Sequence, residues 1–102
     1  MPYIQMRIIS KKPLKEFWEI HPDSETALQA WYAEAKTAIW RNPAEIKAKY
    51  GSASILKDSR VVFNICGNKY RLIVKINYLF SVVLIRFVGT HTEYDAIDAE
   101  VV

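Results

Sequence analysis

The chain is poor in the residues that build cross-links and metal sites. It has one cysteine, Cys66, and two histidines, His21 and His91. One cysteine cannot form a disulfide within the chain, and two distant histidines do not supply the closely spaced ligands of a zinc site. We therefore expect a protein without an internal disulfide, a metal ion or a cofactor. Cys66 has no base beside it in the sequence, which argues against a nucleophilic cysteine.

Long apolar runs are also missing. No stretch approaches the ~20 apolar residues that cross a bilayer, and the N-terminal residues lack the apolar segment of a secretion signal. No internal repeat or low-complexity segment is present. Hydrophobic residues make up 51% and charged residues 25% of the chain, which is typical of a globular protein. We expect a single domain over residues 1–102, located in the cytoplasm and without membrane contact.

Charge is distributed unevenly along the chain, although the net charge is only +3. Residues 57–92 contain six lysines or arginines and one acid, whereas residues 93–102 contain four acids and no base. Clustered positive charge suits a phosphate backbone or an acidic protein segment. The charge pattern alone does not choose between these two partners.

The first half of the chain predicts a strand followed by helices. Residues 6–10 are β-branched in the middle and indicate a strand. Apolar residues at helical spacing predict one helix over 12–20 and a second helix that begins at Asp23 or Ser24. His21 and Pro22 separate the two, because the residue before proline avoids the helical conformation. The second helix has an apolar stripe of five residues: Leu28, Trp31, Ala35, Ala38 and Ile39.

The rest of the chain predicts a third helix and then an antiparallel meander. Asn42 followed by Pro43 is typical of a helix start, and this helix should cover 44–50 and stop at Gly51. A loop, with a possible strand over 54–57, leads into the meander. Helices and strands that are segregated in this way imply the α+β class, with an antiparallel sheet, N-terminal helices on one face and a short C-terminal helix or turn.

The register of the meander follows from one turn. Strands are predicted over 61–66, 69–78 and 79–88, and Gly67-Asn68 is a two-residue turn signal between the first two. Closing the hairpin there gives four pairs: Cys66 with Lys69, Asn64 with Arg71, Val62 with Ile73, and Arg60 with Lys75.

Alternation of side chains along a strand then divides the sheet into two faces. The apolar face of the second strand should meet Val83, Ile85 and Phe87 of the third, which places Arg86 on the other face beside Arg71. The apolar face is expected to pack against aromatic side chains of the helical half: Trp18, Trp31, Tyr32 and Trp40.

The opposite face collects cations. Like charges facing one another on a sheet are unfavourable, so their accumulation suggests a site for an anion such as phosphate. The row consists of Asn64, Arg71 and Arg86, with Lys69, Arg60 and Lys75 around it. The alternative is an ordinary solvated sheet face, which alternating lysine and arginine often form.

A second candidate cluster follows the third meander strand. Gly89 allows the chain to turn, and Thr92 can cap a helical turn that carries His91 and Tyr94. An imidazole and a phenol beside arginines could cleave RNA, because the 2′-hydroxyl of RNA supplies the nucleophile and the protein then needs only proton transfer and cations. Alternatively, His91 is a capping or surface residue and the Tyr94 ring packs against the last strand.

These residues resemble the HigB toxins of type II toxin-antitoxin systems, within the RelE-like superfamily. The specific motifs are FN-x-x-GN-x-YRL, at residues 63–72, and TH-x-EYD, at residues 90–95. The resemblance extends to the N-terminal strand and helices. It implies a ribosome-dependent endoribonuclease that cleaves mRNA and blocks translation, and that is neutralised by a HigA-like antitoxin with a helix-turn-helix domain.

The resemblance also suggests roles for the two clusters. Arg71 and Arg86 would stabilise the scissile phosphate, and His91 and Tyr94 would transfer protons and orient the substrate. Four further residues would help to bind RNA: Asn64, Lys69, Lys75 and Arg60. The alternative is a binding module of the same fold that grips RNA, the ribosome or the antitoxin without catalysis.

Overall fold

The computed structural model describes residues 4–102, which form a five-stranded sheet with three helices on one face and a short fourth helix at the end of the last strand. The helices are α1 (Lys12–Ile20), α2 (Glu25–Thr37), α3 (Pro43–Lys49) and α4 (His91–Asp95), and a 3₁₀ turn at Pro22–Ser24 joins α1 to α2. The strands are β1 (Arg7–Ile9), β2 (Ser54–Ile55), β3 (Arg60–Ile65), β4 (Tyr70–Asn77) and β5 (Val82–Thr90).

The predicted helices are present, with one difference at the end of α2. Leu28, Trp31 and Ala35 are buried as the stripe predicts. The helix ends at Thr37, because Ala38 adopts an extended conformation. Ile39 therefore lies outside the helix and is 41% exposed, so its assignment to the stripe is wrong. Asn42 caps α3 as expected, since its side-chain oxygen accepts a hydrogen bond from the Glu45 N–H (3.1 Å).

The sheet has the order β1-β5-β4-β3-β2. Strands β2 to β5 pair in the antiparallel sense, as the meander predicts. β1 joins the same sheet but runs parallel to β5, so the sheet is mixed. The α+β class is confirmed.

The predicted register of β3 and β4 is confirmed, whereas that of β5 shifts by one residue. Asn64 pairs with Arg71 and Val62 with Ile73. Between β4 and β5, however, Val74 pairs with Ile85 while Ile73 pairs with Phe87. The extra residue is a β-bulge, which moves every later side chain to the opposite face. Phe87 therefore leaves the helix-covered face, and its prediction as a core residue is wrong.

The core lies between the helices and the sheet. It includes Trp18, Trp31 and Trp40 together with Phe63, Leu72 and Val74, and Tyr32 packs against its edge, which confirms the expected aromatic packing. Among residues 4–102, no helix combines the length and the apolar character needed to cross a bilayer.

The second face of the sheet is also partly covered. Ile73 lies on this face and is 0% exposed, and its partner Val62 is 3% exposed. The C-terminal residues lie across this face, since Arg60, Arg71 and Arg86 all contact them. The alternative of an ordinary solvated sheet face is therefore not an adequate description of this face.

Candidate functional site

Arg71 is a buried cation on the second face of the sheet. Its side chain is only 9% exposed. Its Nη1 donates hydrogen bonds to the carbonyls of Asn68 (2.8 Å) and Tyr70 (3.3 Å), and its Nη2 donates to Asn68 Oδ1 (3.3 Å). Within residues 4–102, no carboxylate forms an ion pair with Arg71. A desolvated guanidinium without a carboxylate partner is a favourable site for a phosphate oxygen.

Tyr94 of α4 lies over this guanidinium. The centre of its ring is 5.6 Å from Arg71 Cζ, which is within the range of a cation–π contact. The Tyr94 ring is half-buried and packs against the side chain of Arg71 on the sheet. This packing also places the phenol beside the cation. Tyr94 and Arg71 form the centre of the candidate site.

A capping box fixes the start of α4. Thr90 Oγ1 accepts a hydrogen bond from the Glu93 N–H (3.1 Å), and Glu93 Oε1 accepts one from the Thr90 N–H (2.8 Å). The cap is thus Thr90, and the prediction of Thr92 is wrong because the helix begins two residues earlier. The His91 N–H also donates to the Lys69 carbonyl (3.2 Å), which ties α4 to the turn between β3 and β4.

His91 is exposed at the start of α4 and is oriented by a carboxylate. Its Nδ1 lies 2.9 Å from Asp95 Oδ2, one helical turn away. A carboxylate on one ring nitrogen fixes the ring orientation and leaves the other nitrogen for a proton transfer to a ligand. Tyr94 lies between His91 and Asp95 in the sequence. Helix α4 therefore carries both residues predicted to transfer protons, His91 and Tyr94.

Arg86 does not lie opposite Arg71. Gly89 is the residue that pairs with Arg71, and Arg86 lies at the bulge opposite Ile73 and Val74. The prediction that places the two arginines side by side is wrong for this reason. Arg86 instead shares an acceptor with Arg60: the Val102 carbonyl accepts from Arg86 Nε (3.2 Å) and from Arg60 Nε (3.1 Å) and Nη2 (2.8 Å).

Phe87 is a candidate that sequence reasoning missed. The bulge places it on the second face, two residues before Gly89, and its ring lies where a Cβ at position 89 would collide with it. The Phe87 ring is half-buried, and Phe87 lies two residues before Gly89, the residue that pairs with Arg71. A partly exposed aromatic ring on a cationic surface can stack on a nucleobase. Gly89, two residues further along the strand, leaves room for the Phe87 ring but does not mark the bulge.

The other predicted binding residues are more dispersed. Asn64 lies beside Arg71 in the sheet, but its Nδ2 donates to the Ser52 carbonyl (3.2 Å). Lys75 pairs with Arg60, away from α4. Lys69 forms an ion pair with Asp23, and the hydrogen bond that it donates to this carboxylate raises the pKa of the Lys69 ammonium. Of the predicted residues, Arg71 and Tyr94 are in contact, and His91 lies on the same short helix as Tyr94.

The residues with metal-binding side chains are scattered. Over the part of the chain that the structure describes, no three side chains from histidine, cysteine, aspartate or glutamate converge on a position for a metal ion. His21 stacks on Phe17 with 4.5 Å between ring centres, in line with its interpretation as a structural residue.

Comparison with known proteins identifies related sequences. A model of the HigB toxin family, the RelE-like toxic component of a toxin-antitoxin system, matches residues 24–97. The mRNA interferase toxin HigB of Escherichia coli strain K12 is 33% identical over 92 residues, which cover 88% of each chain. The mRNA interferase HigB of Shigella flexneri shows the same identity and coverage. The mRNA interferase HigB of Escherichia coli O6:H1 is 28% identical over 88% of this chain and 89% of its own.

Proposed function

Since the chain belongs to the HigB family of RelE-like toxins of toxin-antitoxin systems, we propose that it is an mRNA interferase. In this proposal it cleaves mRNA on the ribosome in the cytoplasm without a metal ion, and so inhibits translation. The name mRNA interferase of its relatives supports the reaction. The antitoxin partner that a toxin of this class requires would be a HigA-like protein with a helix-turn-helix domain.

One observation carries the proposal: a buried arginine without a carboxylate partner lies under a helix that presents a tyrosine and an oriented histidine. Arg71 can donate hydrogen bonds to a phosphate oxygen, since no carboxylate among the described residues pairs with it. Tyr94 and His91 stand on α4, within the same C-terminal turn. A guanidinium and two proton-transfer groups are the components that RNA cleavage requires of a protein.

The reaction uses the 2′-hydroxyl of RNA as nucleophile. A base on α4 takes the hydroxyl proton, the 2′-oxygen attacks phosphorus, and the bond to the 5′-oxygen breaks. The leaving oxygen receives a proton, and the products carry a 2′,3′-cyclic phosphate and a 5′-hydroxyl. Arg71 stabilises the negative charge of the pentacoordinate phosphate, and Arg86 contacts the same phosphate after it exchanges the Val102 carbonyl for the RNA. His91 and Tyr94 are the candidates for the two proton transfers.

RNA binding draws on the rest of the same face. Arg60, Asn64 and Lys75 supply positive or polar side chains along β3 and β4. Phe87 adds an aromatic ring beside Gly89. Contacts to phosphates would supply most of the affinity and make it fall as salt increases.

Induced expression with mapping of RNA 5′ ends tests the proposal. Wild type should arrest growth and produce new 5′ ends within translated frames. Arg86→Ala and His91→Ala should abolish both effects while their thermal unfolding remains cooperative. Lys36→Ala, which removes an exposed cation from α2, should behave like wild type. Arrest without new cuts, or cuts that survive in both variants, would contradict the nuclease and favour a binding module of the same fold.

A further inference from the structure

Asp23 connects the helical layer to the turn between β3 and β4. Its carboxylate accepts a hydrogen bond from the Tyr70 hydroxyl (2.5 Å) and forms an ion pair with Lys69 Nζ. Its backbone carbonyl accepts from Cys66 Sγ (3.3 Å). Asp23 belongs to the 3₁₀ turn between α1 and α2, so these three contacts join segments that are far apart in the sequence. We call them the Asp23 clasp.

The turn held by the clasp supports both parts of the candidate site. Asn68 holds the guanidinium of Arg71 through its carbonyl (2.8 Å) and its Oδ1 (3.3 Å). The backbone carbonyl of the next residue, Lys69, accepts a hydrogen bond from the His91 N–H at the start of α4 (3.2 Å). A displacement of residues 66–69 would therefore move the cation and the proton-transfer helix together.

The turn needs support from outside. Cys66 and Gly67 have φ angles of 55° and 66°, in the left-handed region. Glycine adopts this region freely, whereas a residue with a Cβ does so at an energetic cost. The Cys66 conformation is thus not favoured by its own backbone, and the Cys66 thiol is one of the groups that Asp23 holds.

We propose that Asp23 is a positioning residue for RNA cleavage: it fixes the turn at 66–69, and through this turn it fixes Arg71 and α4. The inference rests on the proposed nuclease function. Asp23 touches neither Arg71 nor α4 directly, so it acts through Asn68 and the Lys69 carbonyl. Lys69 accordingly serves the protein as a member of the clasp and does not serve as an RNA contact.

Two measurements on the full chain test this role. Asp23→Asn keeps the shape of the side chain and removes the charge that holds Lys69. We expect kcat for RNA cleavage to fall at least fivefold, KM to stay within twofold, and exchange of the His91 amide hydrogen to become at least tenfold faster. The control is Glu45→Gln, which removes a partly exposed carboxylate of α3 that is paired with Arg41 and should change none of these quantities.

Lys69→Met provides a second variant if Asp23→Asn fails to fold. If Lys69 belongs to the clasp, the Lys69→Met variant should have a lower kcat and a faster exchange of the His91 amide hydrogen. An increase in KM with unchanged exchange would instead identify an RNA contact and overturn the proposal, and so would unchanged His91 exchange in Asp23→Asn. If wild type cleaves no RNA, the proposed function fails, yet the exchange measurement still decides whether the clasp holds α4.

Discussion

Among single residues, Arg71 is held in position by two guanidinium nitrogens that donate hydrogen bonds at once, which a lysine ammonium cannot do in the same geometry. Its guanidinium binds two oxygens of Asn68 and lies under the Tyr94 ring. Arg71→Lys keeps the charge and loses this geometry. We expect a loss of cleavage of at least tenfold and a decrease of about 1–3 kcal/mol in the free energy of unfolding. Cleavage kinetics and urea denaturation measure both effects.

A matched control for this prediction is Arg7→Lys, at an exposed position on β1, which should change neither quantity. Wild-type cleavage by Arg71→Lys would show that charge alone is sufficient at position 71, and that the paired guanidinium donors have no role in the reaction.

Sequence reasoning predicted the sheet register around the candidate site, but not the long-range partners of its residues. The pairing of Asn64 with Arg71 follows from the turn at Gly67-Asn68, because local turn chemistry determines the register of a hairpin. The ion pair of Lys69 with Asp23 joins residues that are far apart in the sequence, and no local pattern encodes it. The shared contact of Arg60 and Arg86 with Val102 is long-range in the same sense.

At the scale of elements, α4 depends on its cap. It has only five residues, too few for a helix to be stable through its own hydrogen bonds. Thr90→Ala removes the side-chain acceptor of the capping box and should cost about 1 kcal/mol of stability. Cleavage should also decrease, because His91 and Tyr94 lose their orientation. Urea denaturation and cleavage assays measure the two effects.

Two further variants sharpen this test. Thr90→Ser retains the acceptor hydroxyl and should restore both quantities, whereas Thr92→Ala removes a threonine from within α4 and should behave like wild type. Equal losses in Thr90→Ala and Thr92→Ala would contradict the role of the cap.

The elements themselves were largely predictable, and the bulge was not. Helix α1 and strands β3 to β5 follow from apolar periodicity and turn residues. The bulge opposite Ile73 and Val74 adds one residue to β5 without a glycine or proline to mark it. Because the side-chain period of a strand is two, this single residue moves Phe87 to the other face and places Gly89 opposite Arg71.

For the whole molecule, two exposed ion pairs predict a dependence of stability on acid. Hydrogen bonds from Lys69 and Arg41 lower the pKa values of Asp23 and Glu45 respectively. Their contribution is complete above the ordinary carboxylate pKa of about 4 and is lost as the pH falls through the lowered folded-state values. Asp23→Asn combined with Glu45→Gln should therefore flatten the decrease in stability below about pH 4. Urea denaturation from neutral to acidic pH measures the slope, and parallel curves for wild type and the double variant would refute the prediction.

The covered second face of the sheet is a property of the whole fold. Ile73 lies on it and is 0% exposed, as is Leu72 on the helix-covered face. Ile73→Ala and Leu72→Ala should each cost about 2–5 kcal/mol in urea denaturation. Ile20→Ala, at a position that is 76% exposed, should stay within about 0.5 kcal/mol of wild type.

A solvated cationic face would instead give Ile73→Ala the small effect of Ile20→Ala. The difference matters for function, because the C-terminal segment that carries His91 and Tyr94 lies on the same face of the sheet, where the Val102 carbonyl binds Arg60 and Arg86. A cavity at Ile73 should loosen this segment and decrease cleavage even under conditions in which the protein remains folded. A cavity at Leu72, on the other side of the sheet, should decrease stability to a similar extent and have a smaller effect on cleavage.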